Sequence, residues 1–273
     1  MGTILIQSPN NDQRRIWLIA GTGEGPEIAR MLLKDGWKVS VSVVSISASF
    51  IYEDLPLENL WVKDLEGPEG IIDVLNDSAV KKKTFNWIVD ATHPFAMIIS
   101  RNLKNACLAM NQPLIRFERT LDKTEGIHLI RDLKSLSQFV LTKKKVLLAI
   151  GSRRLKEAVS IVKVSGGEPF ARVLSSVSGL RKALESGLSD ENIAALTPSG
   201  REPLGAIEKE LCHRWNIDFV VCRQSGGLVQ NIWEEVSHEN KIQLIMLSRP
   251  KDFIYSNVVY SLDSLLKKVS VLN

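Results

Sequence analysis

Short runs of apolar residues alternate along this chain with longer segments in which apolar residues recur at helical spacing. Ile16 to Ala20 and Val146 to Ile150 are typical of buried strands, because they are short, continuous and rich in branched side chains. Buried strands that alternate with helical segments favour a parallel sheet wrapped by helices. The helices that the spacing predicts in the first half are Pro26 to Lys34, Pro68 to Asn76, Phe95 to Met110 and Leu133 to Leu141.

The strand pattern repeats itself at about half the length of the chain. Ile16 to Ala20 is followed by Gly21-Thr22, and the run that begins 130 residues later is followed by Gly151-Ser152. Further pairs of similar runs lie at 86–90 and 218–222, at 113–117 and 243–247, and at 129–136 and 258–265. A period of this length indicates two similar domains instead of a solenoid. We predict domains at 14–143 and 144–273, after a loose leader at 1–13.

The composition is that of a globular protein with a weak charge bias. The chain has 273 residues, of which 44% are hydrophobic, and a formal net charge of +4. This bias does not indicate a nucleic-acid partner, whereas anionic small molecules remain natural ligands. The three cysteines lack C-x-x-C spacing, which favours reduced thiols in a cytoplasmic protein and no metal site. We expect neither a signal peptide nor a membrane partner, and the oligomeric state stays open.

A glycine-rich turn, Gly21-Thr-Gly-Glu-Gly-Pro26, separates the first predicted strand from the first helix. Glycines at this place allow a ligand to approach the backbone, and the amide hydrogens of the helix N-terminus face an anion. Pro26 stands where the dinucleotide motif has its third glycine, and the Gly-Lys-Ser/Thr ending of an ATP-binding loop is absent. The turn favours a ligand-phosphate role, with a plain tight turn as the alternative.

The end of the second predicted strand bears on the choice of nicotinamide cofactor. In an NAD site an acidic residue there bonds the ribose hydroxyls, yet Val41 to Phe50 contains no acid. Ser45 and Ser47 suit a 2′-phosphate better. This favours NADPH, with NADH possible.

The run Asp90-Ala-Thr-His-Pro-Phe-Ala96 joins the strand at 86–90 to the next helix. It places a carboxylate, a hydroxyl and an imidazole, from Asp90, Thr92 and His93, just past the carboxyl end of a strand, where sites of open α/β sheets gather. The alternative is structural, with Asp90 as a helix cap and His93 as a solvated loop residue.

Arginines recur at the ends of predicted strands. In the second half they lie in Gly151-Ser-Arg-Arg154, at Arg172 and in Arg223-Gln-Ser-Gly-Gly227, and the first half adds Arg116 and Arg119. Arginines beside glycine-rich turns bind carboxylates bidentately. A single arginine is more often a surface residue, but the repeated placement predicts a carboxylate site.

Motifs of several other enzyme classes are absent from the sequence. No tyrosine begins the Tyr-x-x-x-Lys motif of short-chain dehydrogenases, and neither Gly-x-Ser-x-Gly nor His-Glu-x-x-His occurs. These absences argue against a short-chain dehydrogenase, a hydrolase and a zinc protease.

Together these motifs resemble the precorrin-6A reductase family of cobalamin biosynthesis, from Ile16 to about Leu266. The resemblance implies two Rossmann-like domains, with a nicotinamide cofactor and the macrocycle bound in the cleft between them. It also implies NAD(P)H-dependent reduction of one ring double bond of precorrin-6A, metal-free or with cobalt, to precorrin-6B. The residues that carry it are Ala20-Gly-Thr-Gly-Glu-Gly25, Asp90 to Ala96, Ser100-Arg-Asn102, Ala106-Cys107, Pro113 to Arg119, Gly151-Ser152, Phe170-Ala-Arg172, Ser225-Gly-Gly227 and Arg249-Pro250.

The motifs and the resemblance assign the site residues. Catalysis is assigned to His93, with Asp90 behind it as orienter. The residues assigned to the cofactor are Gly21, Thr22, Gly23, Glu24, Ser45, Ala91 and Thr92. The residues assigned to the anionic tetrapyrrole substrate are Arg116, Arg119, Gly151, Ser152, Arg172, Arg223, Ser225, Gly226 and Gly227.

The chain departs from the family pattern at two places. The family usually has a threonine and a Tyr-Gly pair after the second strand, where this chain has Ser45 to Phe50 and then Ile51-Tyr52-Glu53. A lysine common before the Ser-Gly-Gly element is replaced by Arg223. Two other functions stay open: a non-catalytic nucleotide-sensing protein, and a tetrapyrrole methyltransferase, since S-adenosylmethionine also binds glycine-rich strand ends.

Overall fold

The computed structural model describes residues 14–121, 126–197, 203–250 and 255–271. The predicted leader at 1–13 lies outside the described residues. Strands alternate with helices, as the hydrophobic pattern predicts. The strands are β1 (Arg15–Ala20), β2 (Lys38–Val43), β3 (Asn59–Val62), β4 (Trp87–Ala91), β5 (Leu114–Phe117), β6 (His128–Ile130), β7 (Lys145–Ala149), β8 (Glu168–Val173), β9 (Ile193–Ala195), β10 (Phe219–Arg223), β11 (Gln243–Leu247) and β12 (Val258–Val259).

The helices confirm three of the four predicted in the first half, with boundaries that differ by a few residues. The prediction for Leu133 to Leu141 is wrong, because a 3₁₀ helix covers Leu133–Gln138. Leu133 and Leu136 are buried, and a spacing of three residues suits the 3₁₀ period. The α-helices are α1 (Gly25–Lys34), α2 (Ile46–Ser49), α3 (Gly67–Val80), α4 (Met97–Ala109), α5 (Leu155–Val164), α6 (Val177–Leu184), α7 (Ala206–Trp215), α8 (Leu228–Glu239) and α9 (Leu262–Ser270).

The strands form two parallel sheets of six strands each. Their orders are β12-β5-β4-β1-β2-β3 and β6-β11-β10-β7-β8-β9. The two orders correspond strand for strand, in agreement with the repeat in the sequence. This confirms the predicted α/β class with two Rossmann-like domains.

Each half of the chain gives its last strand to the sheet of the other half. β12 pairs with β5, with Val258 beside Arg116, and β6 pairs with β11, with His128 beside Ile245. One compact unit therefore takes the described residues up to Arg119 and those from Pro250 onward, and the other takes Thr120–Arg249. These bounds differ from the predicted 14–143 and 144–273, because apolar periodicity identifies a strand without identifying its neighbour.

The core of the first unit lies on both faces of its sheet. β1 is buried along its length between β2 and β4. Ile16 and Leu18 pack on one face with α1 and α9, and Trp17 and Ile19 pack on the other with α3 and α4. Because β1, β4 and β5 are neighbouring parallel strands, the loops that follow them lie together at the carboxyl edge of the sheet.

None of the helices in the described part of the chain is long and apolar enough to cross a membrane.

Candidate functional site

Two glycines of the turn after β1 are required for packing. A Cβ at Gly21 comes within 3.2 Å of His93 N and within 3.2 Å of Thr92 Cα. A Cβ at Gly25 collides with the hydroxyl group of the buried Tyr52. These glycines therefore let the turn lie directly against the loop after β4 and against the segment after β2.

Gly23 is not explained by packing. A Cβ at this position meets no atom of the described residues within 4 Å. Gly21 and Gly23 are both exposed, and the turn leads directly into α1. An exposed backbone without side chains at a helix N-terminus fits the close approach of a phosphate. Packing alone accounts for Gly21 and Gly25, whereas Gly23 favours the ligand-phosphate role.

Asp90, the penultimate residue of β4, has no exposed surface and accepts hydrogen bonds at both carboxylate oxygens. Oδ1 accepts the Thr92 amide at 3.0 Å, the Thr92 hydroxyl at 2.7 Å and Arg116 Nη1 at 2.8 Å. Oδ2 accepts the Ser100 hydroxyl at 2.9 Å and the Tyr255 hydroxyl at 2.7 Å. Such partners are what a buried carboxylate requires. Asp90 therefore joins β4 to β5, to α4 and to the segment before β12.

His93 is oriented within its own loop. Its Nδ1 accepts the amide hydrogen of Phe95 at 3.2 Å, and the two rings lie 5.8 Å apart. A nitrogen that accepts a hydrogen bond carries no proton, so Nε2 is the protonated nitrogen of the neutral ring. The predicted role of Asp90 as orienter of this ring changes, because its oxygens accept five hydrogen bonds from four other residues. Asp90 positions the whole loop that carries His93.

Arg116, assigned to the substrate, lies with its guanidinium in the interior. The residue is 4% exposed, and Nη1 donates to Asp90 and to Thr92 while Nε donates to Glu118 at 3.1 Å. Burial lowers the pKa of Arg116, but the charges of Asp90 and Glu118 outweigh burial and hold it above its ordinary value. The structure uses Arg116 as the internal partner of Asp90 instead of as a surface ligand.

Arg119, also assigned to the substrate, forms an ion pair with Glu24 of the glycine-rich turn. Burial raises the pKa of Glu24, but the hydrogen bond and charge of Arg119 outweigh it and leave the pKa below its ordinary value. Thr22, Thr92 and Arg119 line one small cavity at the strand ends. Arg119 therefore belongs to the same surface as the turn.

The remaining residues assigned to the cofactor lie at the same edge of the sheet. Thr22 Oγ1 donates to the carbonyl oxygen of Ala91 at 3.3 Å, which joins the turn to β4. Ser45 caps α2 by accepting the amide of Ala48 at 3.3 Å, and its Oγ lies 3.1 Å from Ser47 Oγ. The two hydroxyls are therefore clustered just past the carboxyl end of β2.

Sequence reasoning missed Tyr255 and gave Ser100 no role. Tyr255 is 165 positions from Asp90, so no local pattern connects them. Burial and the charge of Asp90 raise the pKa of Tyr255, which keeps its hydroxyl a donor. Ser100 lies in the first turns of α4, and its place in the motif at 100–102 was the available signal.

In the second unit, Arg223 lies over the turn that follows β7. A Cβ at Gly151, where φ is +75°, comes within 3.3 Å of Arg223 Nη2. Burial, together with the charges of Arg153 and Arg154, lowers the pKa of Arg223 to about 10. Arg154 is paired with Glu157 at 2.9 Å, so Arg153 and Arg223 supply most of the positive charge beside Ser152, which favours an anionic ligand.

The loop Ser225-Gly226-Gly227 begins α8 at the end of the neighbouring strand β10. Gly226 and Gly227 have φ of +69° and +70°, in the left-handed region that favours glycine. The amide of Gly226 donates to Gln230 Oε1 at 2.7 Å, and Arg249 Nη2 donates to the Ser225 carbonyl at 3.1 Å. Since β7 and β10 are paired, this loop lies at the same edge of the sheet as Gly151 and Arg223.

Arg172 is the penultimate residue of β8 and is 7% exposed. Its Nη2 lies 3.5 Å from Glu208 Oε1 of α7, and its Nε has no hydrogen-bond partner among the described residues. Burial lowers the pKa of Arg172, and the opposing charge of Glu208 only partly offsets this. Arg172 is thus a buried cation with a long, imperfect internal pairing.

Within the described ranges, no group of three or more His, Cys, Asp or Glu residues is placed to hold a metal ion.

Comparisons with known proteins agree over nearly the whole chain. Residues 15–270 match the family model described as precorrin-6x reductase CbiJ/CobK. The chain is 31% identical over 242 residues to the cobalt-precorrin-6A reductase of Synechocystis sp., which covers 86% of this chain and 88% of the relative. It is 28% identical over 256 residues to the cobalt-precorrin-6A reductase of Priestia megaterium, which covers 90% of this chain and 94% of the relative.

A solved structure described as CobK precorrin-6A reductase shares the fold. Its TM-score is 0.74 at 21% sequence identity, over 94% of this chain and 96% of that chain. At this identity the likeness shows the fold alone. The shared fold extends over nearly the full length of both chains.

Proposed function

Because a family model spanning residues 15–270 shows that the chain belongs to the precorrin-6x reductase CbiJ/CobK family, we propose that it reduces one ring double bond of precorrin-6A to give precorrin-6B. The span of that match, nearly the whole chain, is the observation that carries the proposal. The relatives in Synechocystis sp. and Priestia megaterium are named cobalt-precorrin-6A reductases, which favours the cobalt-containing form of the substrate.

The hydride donor in this proposal is NADPH. The turn at 21–25 fits its pyrophosphate, because Gly23 has open space where a side chain would project. The end of β2 fits a 2′-phosphate, because Val41 to Phe50 contains no acid and the hydroxyls of Ser45 and Ser47 lie together there. NADH shares the pyrophosphate and should bind more weakly.

The residues of the chain position the reactants and control one proton. When bound, the cofactor supplies a hydride to an electrophilic ring carbon. Thr22, Ala91 and Thr92 would contact the bound cofactor. Tight positioning of the cofactor and the substrate supplies most of the rate enhancement. The Nε2–H group of His93 would donate a hydrogen bond to the ring where negative charge develops, the proton for the neighbouring carbon would come from solvent, and Asp90 fixes the loop.

The substrate is assigned to the arginine-rich edge of the second sheet. A tetrapyrrole with acetate and propionate arms is a polyanion, and the cluster of Arg223 with Arg153 and Arg154 supplies opposing charge. Gly151, Ser152 and the loop 225–227 allow close approach there, and Arg172 adds a further cation. Arg116 leaves the substrate set because its guanidinium group is buried against Asp90, and Arg119 leaves it because it lies beside the glycine-rich turn, paired with Glu24.

The two other functions are not favoured. A nucleotide sensor does not need the second arginine-rich edge, and a methyltransferase is not what the matched family or the named relatives indicate. Calorimetric titrations with S-adenosylmethionine and with NADPH distinguish a methyltransferase from a reductase. Only a methyltransferase is expected to bind S-adenosylmethionine in preference to NADPH.

The direct test is turnover with precorrin-6A or cobalt-precorrin-6A and a deuterated nicotinamide cofactor. We expect cofactor oxidation in step with transfer of the deuterium to the tetrapyrrole, measured by absorbance and mass spectrometry. Absence of oxidation with both substrates would contradict the proposal.

Arg223→Met should raise the KM for the tetrapyrrole about tenfold or more. Arg214→Met, which removes an exposed arginine of α7, should leave it unchanged.

A further inference from the structure

An acidic residue in a phosphate-binding turn requires an explanation. Glu24 is the N-cap residue of α1, yet its side chain makes no capping hydrogen bond to the helix. The carboxylate is directed to Arg119, 95 positions further along the chain. A free carboxylate here would repel a pyrophosphate at the same helix N-terminus. Before a cofactor binds, the ion pair with Arg119 compensates the charge of this carboxylate.

Arg119 is already placed at the surface that a pyrophosphate would approach. It follows β5 and lines the same cavity as Thr22 and Thr92, next to the glycine-rich turn. The side chains of Arg119 and Glu24 are 16% and 28% exposed, so the pair is partly covered but open to a ligand. A guanidinium group binds a phosphate with the same forked geometry with which it binds a carboxylate.

We propose that Arg119 is a ligand of the cofactor's pyrophosphate and that Glu24 holds Arg119 in place until the pyrophosphate replaces the carboxylate. This inference rests on the proposed function, since it takes the turn after β1 as the cofactor site. Arg119 thereby moves from the tetrapyrrole site, to which the sequence assigned it, to the cofactor site.

In this proposal the carboxylate of Glu24 and the pyrophosphate of the cofactor compete for the guanidinium group of Arg119. Every binding event separates Glu24 from Arg119 and leaves a carboxylate beside two phosphate groups. Glu24→Gln keeps the shape of the side chain and removes that charge. Its affinity for the cofactor should rise about two- to fivefold, the size expected for a partly exposed charge interaction. Arg119→Met should lower the affinity about tenfold or more.

The test is calorimetric titration of the full chain with NADPH and with NADH. The same factors are expected for both cofactors, because both carry the pyrophosphate and only NADPH has the 2′-phosphate. Glu27→Gln and Arg30→Met are matched controls, since each removes an exposed charge from the same helix. A gain for Glu24→Gln no larger than that for Glu27→Gln would overturn the inference.

A second outcome also opposes it. If Arg119→Met weakens the tetrapyrrole and leaves both cofactors unchanged, Arg119 belongs to the substrate site. A melt of each preparation identifies a variant that fails to fold, and in that case Glu24→Gln, which conserves shape, decides alone. If the unaltered protein binds neither NADPH nor NADH, the proposed function fails as well. If it binds them but neither variant shifts the affinity, only this inference fails.

Discussion

Asp90 and Arg116 lie side by side on the adjacent parallel strands β4 and β5, with Oδ1 of the carboxylate 2.8 Å from Nη1 of the guanidinium. Both residues are buried. Neither charge is solvated, so each depends on the other and on the hydroxyl groups around them. The loop that carries His93 begins after Ala91, the residue that follows Asp90 and ends β4. This pair therefore fixes the carboxyl edge of the sheet at which the proposed cofactor site lies.

Removing one partner of this pair should destabilise the first unit strongly. Arg116→Met leaves the Asp90 carboxylate buried without its cation, and we expect a loss of about 3–5 kcal/mol in the free energy of unfolding. Urea unfolding measures it. Arg30→Met, at an exposed arginine of the same unit, should change the value by about 0.5 kcal/mol or less. Equal losses in the free energy of unfolding for the two substitutions would show that the Asp90–Arg116 pair does not stabilise the unit more than an exposed arginine does.

The hydroxyl group of Tyr255 should contribute measurably to the same network. Tyr255→Phe removes one donor from a buried carboxylate, at a cost of about 1.5–3 kcal/mol. Tyr260→Phe is the control, because Tyr260 is 57% exposed and only five positions away. Thermal melts of both variants give the comparison. A loss common to the two would refute a specific role of the bond to Asp90.

The glycines of the turn after β1 should separate into a binding class and a packing class. Gly23→Val projects into open space, so the melting temperature should stay near that of the unaltered protein while NADPH affinity falls. Gly25→Ala meets the Tyr52 hydroxyl and should lower the melting temperature. Calorimetry and melts on the same preparations test both. Normal NADPH binding by a folded Gly23→Val variant would place the cofactor elsewhere.

His93→Ala should slow the reaction without unfolding the protein. A hydrogen-bond donor positioned at developing charge contributes about a hundredfold or more, whereas a half-buried loop imidazole adds little to the core. Single-turnover absorbance of the bound nicotinamide, beside a melt, gives both quantities. If turnover is unchanged, positioning by the remaining residues is the whole mechanism. A lower melting temperature with normal turnover would make His93 a packing residue.

The ion pair of Glu24 predicts a pH dependence of stability. The pKa of Glu24 in the folded state lies below its ordinary value of 4.5. Its contribution to the free energy of unfolding is therefore complete above about pH 4.5 and is lost as the pH falls through the folded pKa. The difference in stability between the unaltered protein and Glu24→Gln should shrink on acidification. Arg119→Met should weaken this pH dependence, because the guanidinium is the strongest of the groups that lower the pKa of Glu24.

The sequence by itself determined the α/β class, the repeat, the positions of most strands, and the family. Each of these depends on local information: the strands on continuous apolar runs, as in Ile16 to Ala20, and the family on short motifs such as Asp90 to Ala96. A short apolar run predicts a strand but does not identify the strand with which it pairs. Hence the equivalence of 129–136 and 258–265 was visible, and the exchange of β6 and β12 was not.

Only the tertiary structure decided how the charged side chains are used. In the sequence Arg116, Arg119, Arg172 and Arg223 are alike, since each follows or ends a strand. In the fold Arg116 meets Asp90, Arg119 meets Glu24, and Arg223 lies among other arginines above Gly151. The energy of a charge depends on its burial and on the partners within a few ångströms. Those partners are brought together by strand pairing and by the return of the chain at Tyr255, across separations that no local pattern records.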